Sequence, residues 1–524
     1  MIGFRHLVLS VSLANLCLIS VWNRLLYPSA RFSMDYSPAT SEYAAALLNF
    51  GIMSCIFFLL ALIYRRYSEN ILVTKAALLG IVSVVVLVPV NWLRLQVALR
   101  FQHFSLNDIF NHFGKVVGII VIVLVMITLA IVVLHWYGRI MRFMVALVLI
   151  TSPFCLLTIG QSLVKLLNGE ASAKFADRPS LPLIETVSKD KTRVIIVVFD
   201  EMDKALAFDK RTPDLIMPEF DRLRGEGFYA ENAFPPAMNT IQSMPAFTTG
   251  KLLRNVWPYN ERELLLNYEG TSTLVPWSSQ KNIFTVAHDL GFNTALVGRA
   301  IPYSRIIGGS LTKYLLPDSG QEPPYSIDLI KAMRLQFMAV IGTLPFSTRL
   351  DLQGKLTSKI EKEVALKQAV ALHESNLANS LKLAADRDYS LLLIHYDVPH
   401  QPWIYNRFKN DYSWSGDGSY SDNLMLADRT LGVLRREMET AGVWNDTHVI
   451  VTSDHWLRSS GKDKRIPFLL KLAGQKGAAH YDKQINTILC FNLVKALLMQ
   501  KITSYSTLVT WFDSHRTMIG PSPY

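Results

Sequence analysis

Cysteine is scarce. Only four occur in 524 residues: Cys17, Cys55 and Cys155 lie inside apolar runs, and Cys490 stands alone in the more polar remainder. That remainder therefore has no disulfide to make within the chain, and neither CxxC nor zinc-finger spacing occurs. Charge is sparse too, at 18% Asp, Glu, Lys and Arg, with a mean hydropathy of +0.23. The net charge of +11 is not gathered into basic runs interleaved with aromatics, which argues against a nucleic-acid partner. It suits anionic lipid headgroups or phosphorylated substrates instead. Internal repeats and low-complexity tracts are also missing.

What the chain has in excess is apolar runs, nearly all in its first third. Five are long enough, at roughly twenty residues, to cross a bilayer core. They are "HLVLSVSLANLCLISVW", "YAAALLNFGIMSCIFFLLALIY", "ILVTKAALLGIVSVVVLVPVNWL", "VVGIIVIVLVMITLAIVVLHWY" and "FMVALVLITSPFCLLTIGQSLV". No small-residue cleavage site follows the first, so it reads as an anchor rather than a signal peptide. Arg5, Arg65, Arg66, Arg139 and Arg142 fall on one side if the N-terminus is cytoplasmic. Five crossings then leave everything after about Leu167 outside the cytoplasm, as expected of a multi-pass plasma (inner) membrane protein. The loop with Arg94, Arg100 and Lys115 opposes that bias and reads as a helix lying among headgroups.

A polar linker, 168–192, stiffened by Pro179 and Pro182, separates this transmembrane domain (1–167) from a domain spanning 193–524. There, short apolar runs alternate with helical patterns: "RVIIVVFD", "NTALVGR", "YSLLLIHYD", "THVIVTSDH" and "RIPFLLKL" are the strand candidates. Strands apolar throughout and separated by helices predict an α/β fold, a mainly parallel sheet covered by helices on both faces.

Polar residues gather where these strands end. Asp200 and Glu201 close the first, His395, Asp397 and His400 the third, Asp454 and His455 the fourth. Ligands of open parallel sheets bind beyond the carboxyl ends of strands, so these groups can share one cation. Oxygen plus imidazole suits zinc, manganese or magnesium. The segment "NTIQSMPAFTTG" supplies a hydroxyl: metal coordination is one of the few ways to activate Thr240 as a nucleophile. If Thr240 opens a helix, the helix N-terminus also favours an incoming anion, with Pro245 in the first turns. A plain N-cap role is the alternative for Thr240, and Ser243 is its rival as nucleophile. His395, midway along an apolar run, reads as a core histidine.

The ordered set "VVFDE", "NTIQSMPAFTTGK", "LGFNTALVGR", "HYDVPHQPW", "VTSDHW" and "RIPFLLK" resembles the alkaline-phosphatase/sulfatase superfamily over about Arg193 to Leu498. Five spans before an outward domain look like lipoteichoic acid synthases and lipid A phosphoethanolamine transferases. The resemblance implies that Asp200, Thr240, Asp454 and His455 form the metal shell, with Thr240 also the nucleophile and Glu201 adding to or replacing Asp200. It places Arg299 where sulfatases carry an active-site lysine, His400 near the leaving group, and His480 near a second-metal ligand of two-metal relatives. The sulfatase C/S-x-P-x-R motif is not met, since Ile241, Gln242 and Ser243 follow Thr240. Formylglycine is thereby excluded and a phosphothreonine is implied. The paired cysteines of phosphoethanolamine transferases are missing, and Phe199 and Trp456 replace glycines often seen beside the ligands.

The expected activity is metal-dependent transfer of a phospho-headgroup from a phospholipid donor to an extracytoplasmic glycan or glycolipid. One zinc or manganese ion is expected rather than two. The alternatives are a phosphodiesterase or phosphatase with water as acceptor, and a non-catalytic membrane scaffold. The apolar "IDLIKAMRLQFMAVIGTLPF" either dips into the headgroups or packs on the outer domain.

Overall fold

The computed structural model describes residues 3–67, 80, 85–93, 114–169, 172–185, 192–318, 328–344, 359–460 and 463–516. They belong to two compact units. The first comprises Met1–Arg31, Tyr36–Lys174 and Pro323–Thr357, and the second Phe32–Asp35, Phe175–Glu322 and Ser358–Tyr524.

The first unit is helical. Phe4–Cys17 and Ile19–Leu26 form a pair bent by 64°. Thr40–Ile63 and Tyr137–Leu167 are long and apolar enough to cross a membrane, and the bent pair makes a third crossing if taken as one span. Among the described residues the count is therefore two or three, against five expected from sequence. Most of the third run and nearly all of the loop after it lie outside the described residues. The fourth run is helical over Lys115–His135. Ile56, Leu59, Ile63, Leu156 and Leu157 all expose their side chains on these helices. A folded chain in water rarely presents so much apolar surface; hydrocarbon tolerates it because helices satisfy their own backbone groups.

The apolar segment near residue 335 belongs to the helical first unit rather than to the second, against the expectation that it packs on the outer domain. Leu329–Gly342 is a helix of the first unit, capped by Asp328, whose side chain accepts from Lys331 N at 2.8 Å. It lies along the Thr40–Tyr67 helix, tied by polar contacts. Asn49 Nδ2 donates to Met333 O (3.1 Å) and Gln336 Oε1 (3.0 Å), and Gln336 Nε2 donates to Glu42 O (2.8 Å). Hydrogen-bonding residues on facing helices hold this pair where apolar burial gives little drive.

The second unit is built on an eight-stranded sheet. Its strands are β1 (Arg193–Asp200), β2 (Phe228–Phe234), β6 (Thr294–Val297), β7 (Lys313–Leu315), β8 (Leu391–Pro399), β11 (Thr447–Ser453), β12 (Phe468–Lys471) and β13 (Ala479–Asn486). Strands β3 (Leu253–Asn260), β4 (Glu263–Tyr268) and β5 (Leu274–Pro276) form a separate antiparallel sheet, and β9 (Tyr405–Asn406) pairs with β10 (Asp411–Tyr412). The main order is β13-β2-β12-β11-β1-β8-β6-β7. Pairing is parallel except around β12, which runs antiparallel to β11 and β2.

The sequence of β1 explains its central place. All eight residues are buried, with Val194, Ile196 and Val198 in the core on one face and Ile195, Val197 and Phe199 in the core on the other. Two buried faces require a continuous apolar run, and the strand period of two divides it between them. The anticipated α/β, mainly parallel sheet is therefore present. Strands β2, β7 and β13 were not anticipated: β13 ("AHYDKQIN") has half its residues exposed at the sheet edge and lacks the buried-strand signature.

Candidate active site

Strands β1 and β11 are parallel neighbours in the register Phe199↔Ser453, so Asp200 and Asp454 emerge side by side at their carboxyl ends. His455 follows directly. Ser453 Oγ ties the two strand ends together: it bonds to Phe199 O and His455 O, each at 2.7 Å, and accepts from Met202 N at 2.8 Å. One Asp454 oxygen, Oδ1, accepts from the backbone N–H of Glu201 (3.1 Å) and of His455 (2.8 Å).

The Thr240 hydroxyl also reaches the Asp454 carboxylate. Asp200 Oδ1 and Asp454 Oδ2 are buried, the former without a hydrogen bond, and face His455 Nε2 at 3.6 and 3.5 Å. The His455 tautomer is fixed from behind, because Nδ1 lies 2.9 Å from the Trp456 carbonyl and must donate to it. Nε2 is left facing the two carboxylates. Ligand atoms of Asp200, Asp454 and His455 all fall within 4.8 Å of one another. Buried carboxylate oxygens are costly, and a cation is the partner that suits two acids beside an imidazole.

The electrostatics agree. Burial raises the Asp200 carboxyl well above its ordinary range, and the charges of Asp454, Asp397 and Glu201 raise it further. Burial opposes ionisation of Asp454 as well, but His455, His395 and the Thr240 hydroxyl outweigh it and hold that carboxyl low. Adjacent buried acids cannot both ionise freely unless a positive charge lies between them.

Thr240 is the first residue of the Thr240–Thr249 helix. The cap is Asn239, whose side chain accepts from Gln242 N at 3.0 Å, so the Thr240 hydroxyl is not spent on capping. Its Oγ lies 3.4 Å from His455 Nε2. Ser243, the rival nucleophile, is buried and donates to the Asp454 carbonyl. Pro245 falls deeper than expected, inside the helix as its sixth residue. There the missing N–H forfeits one helical bond.

Glu201 has φ +65, a left-handed conformation unusual for a side-chain-bearing residue. Tyr420 holds it there, its hydroxyl donating to Glu201 O (2.8 Å) and accepting from Asp203 N (2.9 Å). The Glu201 carboxylate faces His400 Nε2 (3.7 Å) and Arg458 Nε (3.6 Å) rather than joining the Asp200 cluster. His400 Nδ1 donates to Gln401 O at 2.6 Å, which turns Nε2 toward that acid. A cleft of about 250 Å³, lined by Asp200, Ala300, Asp397, His400 and Gln401 among others, opens beside them.

Three candidates are engaged elsewhere. Arg299 Nη2 donates to Asp35 Oδ2 at 3.0 Å, although its charge still reaches Asp397. His480, exposed on β13, bonds to Glu231 of β2 at 3.2 Å and is not among the clustered ligands. His395 is buried, its Nδ1 2.8 Å from the Tyr303 hydroxyl, as a core histidine should be. Sequence reasoning missed Tyr420, Asn423 and the role of Ser453. Only Ser453, within "TSDH", carried a local signal.

A family model described as Sulfatase matches residues 192–500, more than half of the chain. The chain belongs to the sulfatase family. None of the curated proteins matches it. Several solved structures are similar at low identity. One is a protein in the alkaline phosphatase superfamily from Vibrio parahaemolyticus, at 14% identity and TM-score 0.38, covering 61% of this chain and 68% of that one. A sulfatase from Pseudoalteromonas sp. has 14% identity and TM-score 0.39, with 60% and 69% covered. A phosphonate monoester hydrolase of Agrobacterium radiobacter has 13% identity and TM-score 0.34, with 59% and 74% covered. This sulfatase-family enzyme thus carries a threonine at the head of a helix beside its acid–histidine cluster.

Proposed function

We propose that the chain is a multi-pass membrane phosphotransferase whose catalytic unit faces the extracytoplasmic side. It moves a phospho-headgroup from a phospholipid donor to a glycan or glycolipid through a phosphothreonine at Thr240. The observation that carries this reading is the uncapped Thr240 hydroxyl 3.4 Å from His455 Nε2, beside two buried carboxylate oxygens.

Asp200, Asp454, His455 and Thr240 would hold a divalent ion, zinc or manganese, which when bound supplies Lewis-acid polarisation and a lowered hydroxyl pKa. Thr240 releases its proton to solvent water and forms a P–O bond as the bond from phosphorus to diacylglycerol breaks. The leaving oxygen takes a proton from the Nε2 of His400, whose imidazolium the Glu201 carboxylate stabilises from 3.7 Å. In the second half the acceptor hydroxyl returns a proton to His400, its oxygen displaces Thr240, and the threonine oxygen takes back a proton from solvent water. Arg299 swings from Asp35 to clamp a phosphoryl oxygen, offsetting charge that develops in flight.

The test uses full-length protein reconstituted with headgroup-labelled phosphatidylethanolamine or phosphatidylglycerol. Peptide mass spectrometry is expected to find a headgroup-phosphate adduct on Thr240 that Thr240→Ala lacks and that added glycan discharges. Discharge by water alone would assign the hydrolase alternative. Metal-replete protein that never labels, from any phospholipid tested, would sink the covalent mechanism.

A further inference from the structure

A second cleft, of about 480 Å³, adjoins the first. The two share Gln401 and Pro402, the residues directly after His400. Its other walls include Trp403, Lys362, Glu363 and Ser415. This mixture is informative. An anion needs an excess of positive charge, and the apolar Ala365 and Leu366 make up only part of this lining. Here one lysine is balanced by one glutamate, beside a primary amide, a hydroxyl and an indole left 40% exposed. A flat aromatic face amid mixed donors and acceptors complements a neutral sugar ring, whose C–H face stacks while its rim hydroxyls hydrogen-bond.

The loop that builds this wall is preformed. Asn423, buried on the Tyr420–Thr440 helix, accepts from Ile404 N at 3.0 Å and donates to Pro402 O at 3.3 Å. Ser413 Oγ donates to Asp417 Oδ1 at 2.6 Å, and Asn406 Nδ2 to Asp417 Oδ2 at 3.1 Å. Gly418 packs so closely that a Cβ there would sit 2.6 Å from the carbonyls of Trp403 and Tyr405. A cleft with rigid walls loses little entropy on binding.

We infer that this Trp403 cleft is the subsite for a neutral glycan, holding a sugar hydroxyl beside His400. Its role as acceptor site rests on the phosphotransfer reading, whereas its ligand chemistry stands on the cleft itself. The same face could instead meet lipid headgroups, since tryptophan is also at home at a bilayer surface. The test separates the two.

Full-length protein in nanodiscs would be examined by saturation-transfer NMR with methyl glycosides of glucose, galactose and N-acetylglucosamine. At least one is expected to receive saturation on its ring protons from the wild type. Trp403→Ala should weaken that glycoside roughly ten-fold, and Trp403→Phe, which keeps a stacking face, should lose less. Thr240→Ala should bind as the wild type does, so failure of the covalent chemistry and failure of the subsite are told apart. Absence of saturation for all three sugars overturns the inference. So does an unchanged signal in Trp403→Ala, including the case where that variant only loosens phosphatidylethanolamine contact.

Discussion

The side-chain amide of Asn423 donates to the backbone carbonyl of His400 across 3.2 Å. The same nitrogen reaches Pro399 O at 3.4 Å and Pro402 O at 3.3 Å, so one buried amide fixes the turn that aims His400. His400 keeps its side chain 34% exposed, and its bonds to the Gln401 and Asp200 carbonyls work only while this turn holds its shape. Positioning of this kind decides whether a proton donor meets its oxygen.

Asn423→Ala is expected to lower kcat by roughly ten- to a hundred-fold with little change in KM, because the donor site is untouched. Stability should fall by about 1–3 kcal/mol as buried carbonyls lose their partner. Asn423→Asp keeps the acceptor for Ile404 N but loses the donor. It should recover part of the stability and little of the rate. Steady-state kinetics and denaturant melts on both variants check this, and a variant that loses stability without losing kcat would count against the positioning role.

Asp200 yields a prediction whose sign depends on metal. Its carboxyl is raised by burial and by neighbouring acids, so in metal-free protein the ionised form opposes folding. A raised acid contributes its stability at low pH and loses it as pH rises. Metal-free wild type should therefore weaken from mildly acidic to neutral pH. Asp200→Asn should flatten that slope and melt higher at neutral pH. With zinc or manganese added the order should reverse, because the variant forfeits ligand-linked stabilisation. Melting curves with and without chelator, beside metal analysis by mass spectrometry, give both halves.

How far the sequence reveals all this depends on where a residue acts. Asp200, Asp454 and His455 were legible because apolar strands ending in acids and imidazole are rare and place their ends together. Thr240 was legible only through the resemblance of its segment, "NTIQSMPAFTTGK", to the superfamily. Asn423 was not: it is one amide in an ordinary amphipathic helix, and its bonds run to a loop about twenty residues upstream that no periodicity encodes. Edge strands such as β13 were hidden because half-exposed positions need not be apolar. The place of the helix Leu329–Gly342 in the first unit was not legible, because apolar content does not say which surface a helix will join.

Lys204 supplies a third prediction. Three residues after Glu201, its fully buried ammonium bonds to Asp209 at 2.8 and 2.9 Å and to Glu231. Arg465 also bonds Asp209 at 2.9 Å, and His480 meets Glu231, which accounts for the place of that histidine. Without the ammonium the two acids would be left with only Arg465 and His480 as partners. Lys204→Met is expected to cost about 3–5 kcal/mol, and adding Glu231→Gln should return part of it. Urea melts of the single and double variants measure the coupling; a loss within error of zero would mean the pair is silent.

Acid sensitivity also arises away from the active site. His448, at the second position of β11, is buried and accepts from Ala473 N on Nδ1 at 3.0 Å. Burial, with help from Lys471, pushes its pKa down to about 4 from an ordinary 6.5. The unfolded chain therefore binds a proton that the folded one refuses. Such a group contributes full stability above pH 6.5 and loses it as pH falls toward 4. The loss saturates at roughly 3 kcal/mol. His373, pushed down to about 4 by burial, acts in the same direction. His448→Asn keeps an acceptor for Ala473 N without titrating, so its melting temperature should vary less across that window while matching the wild type near neutrality. Parallel slopes for the two proteins between pH 6.5 and 4 would show that His448 is not the group being charged.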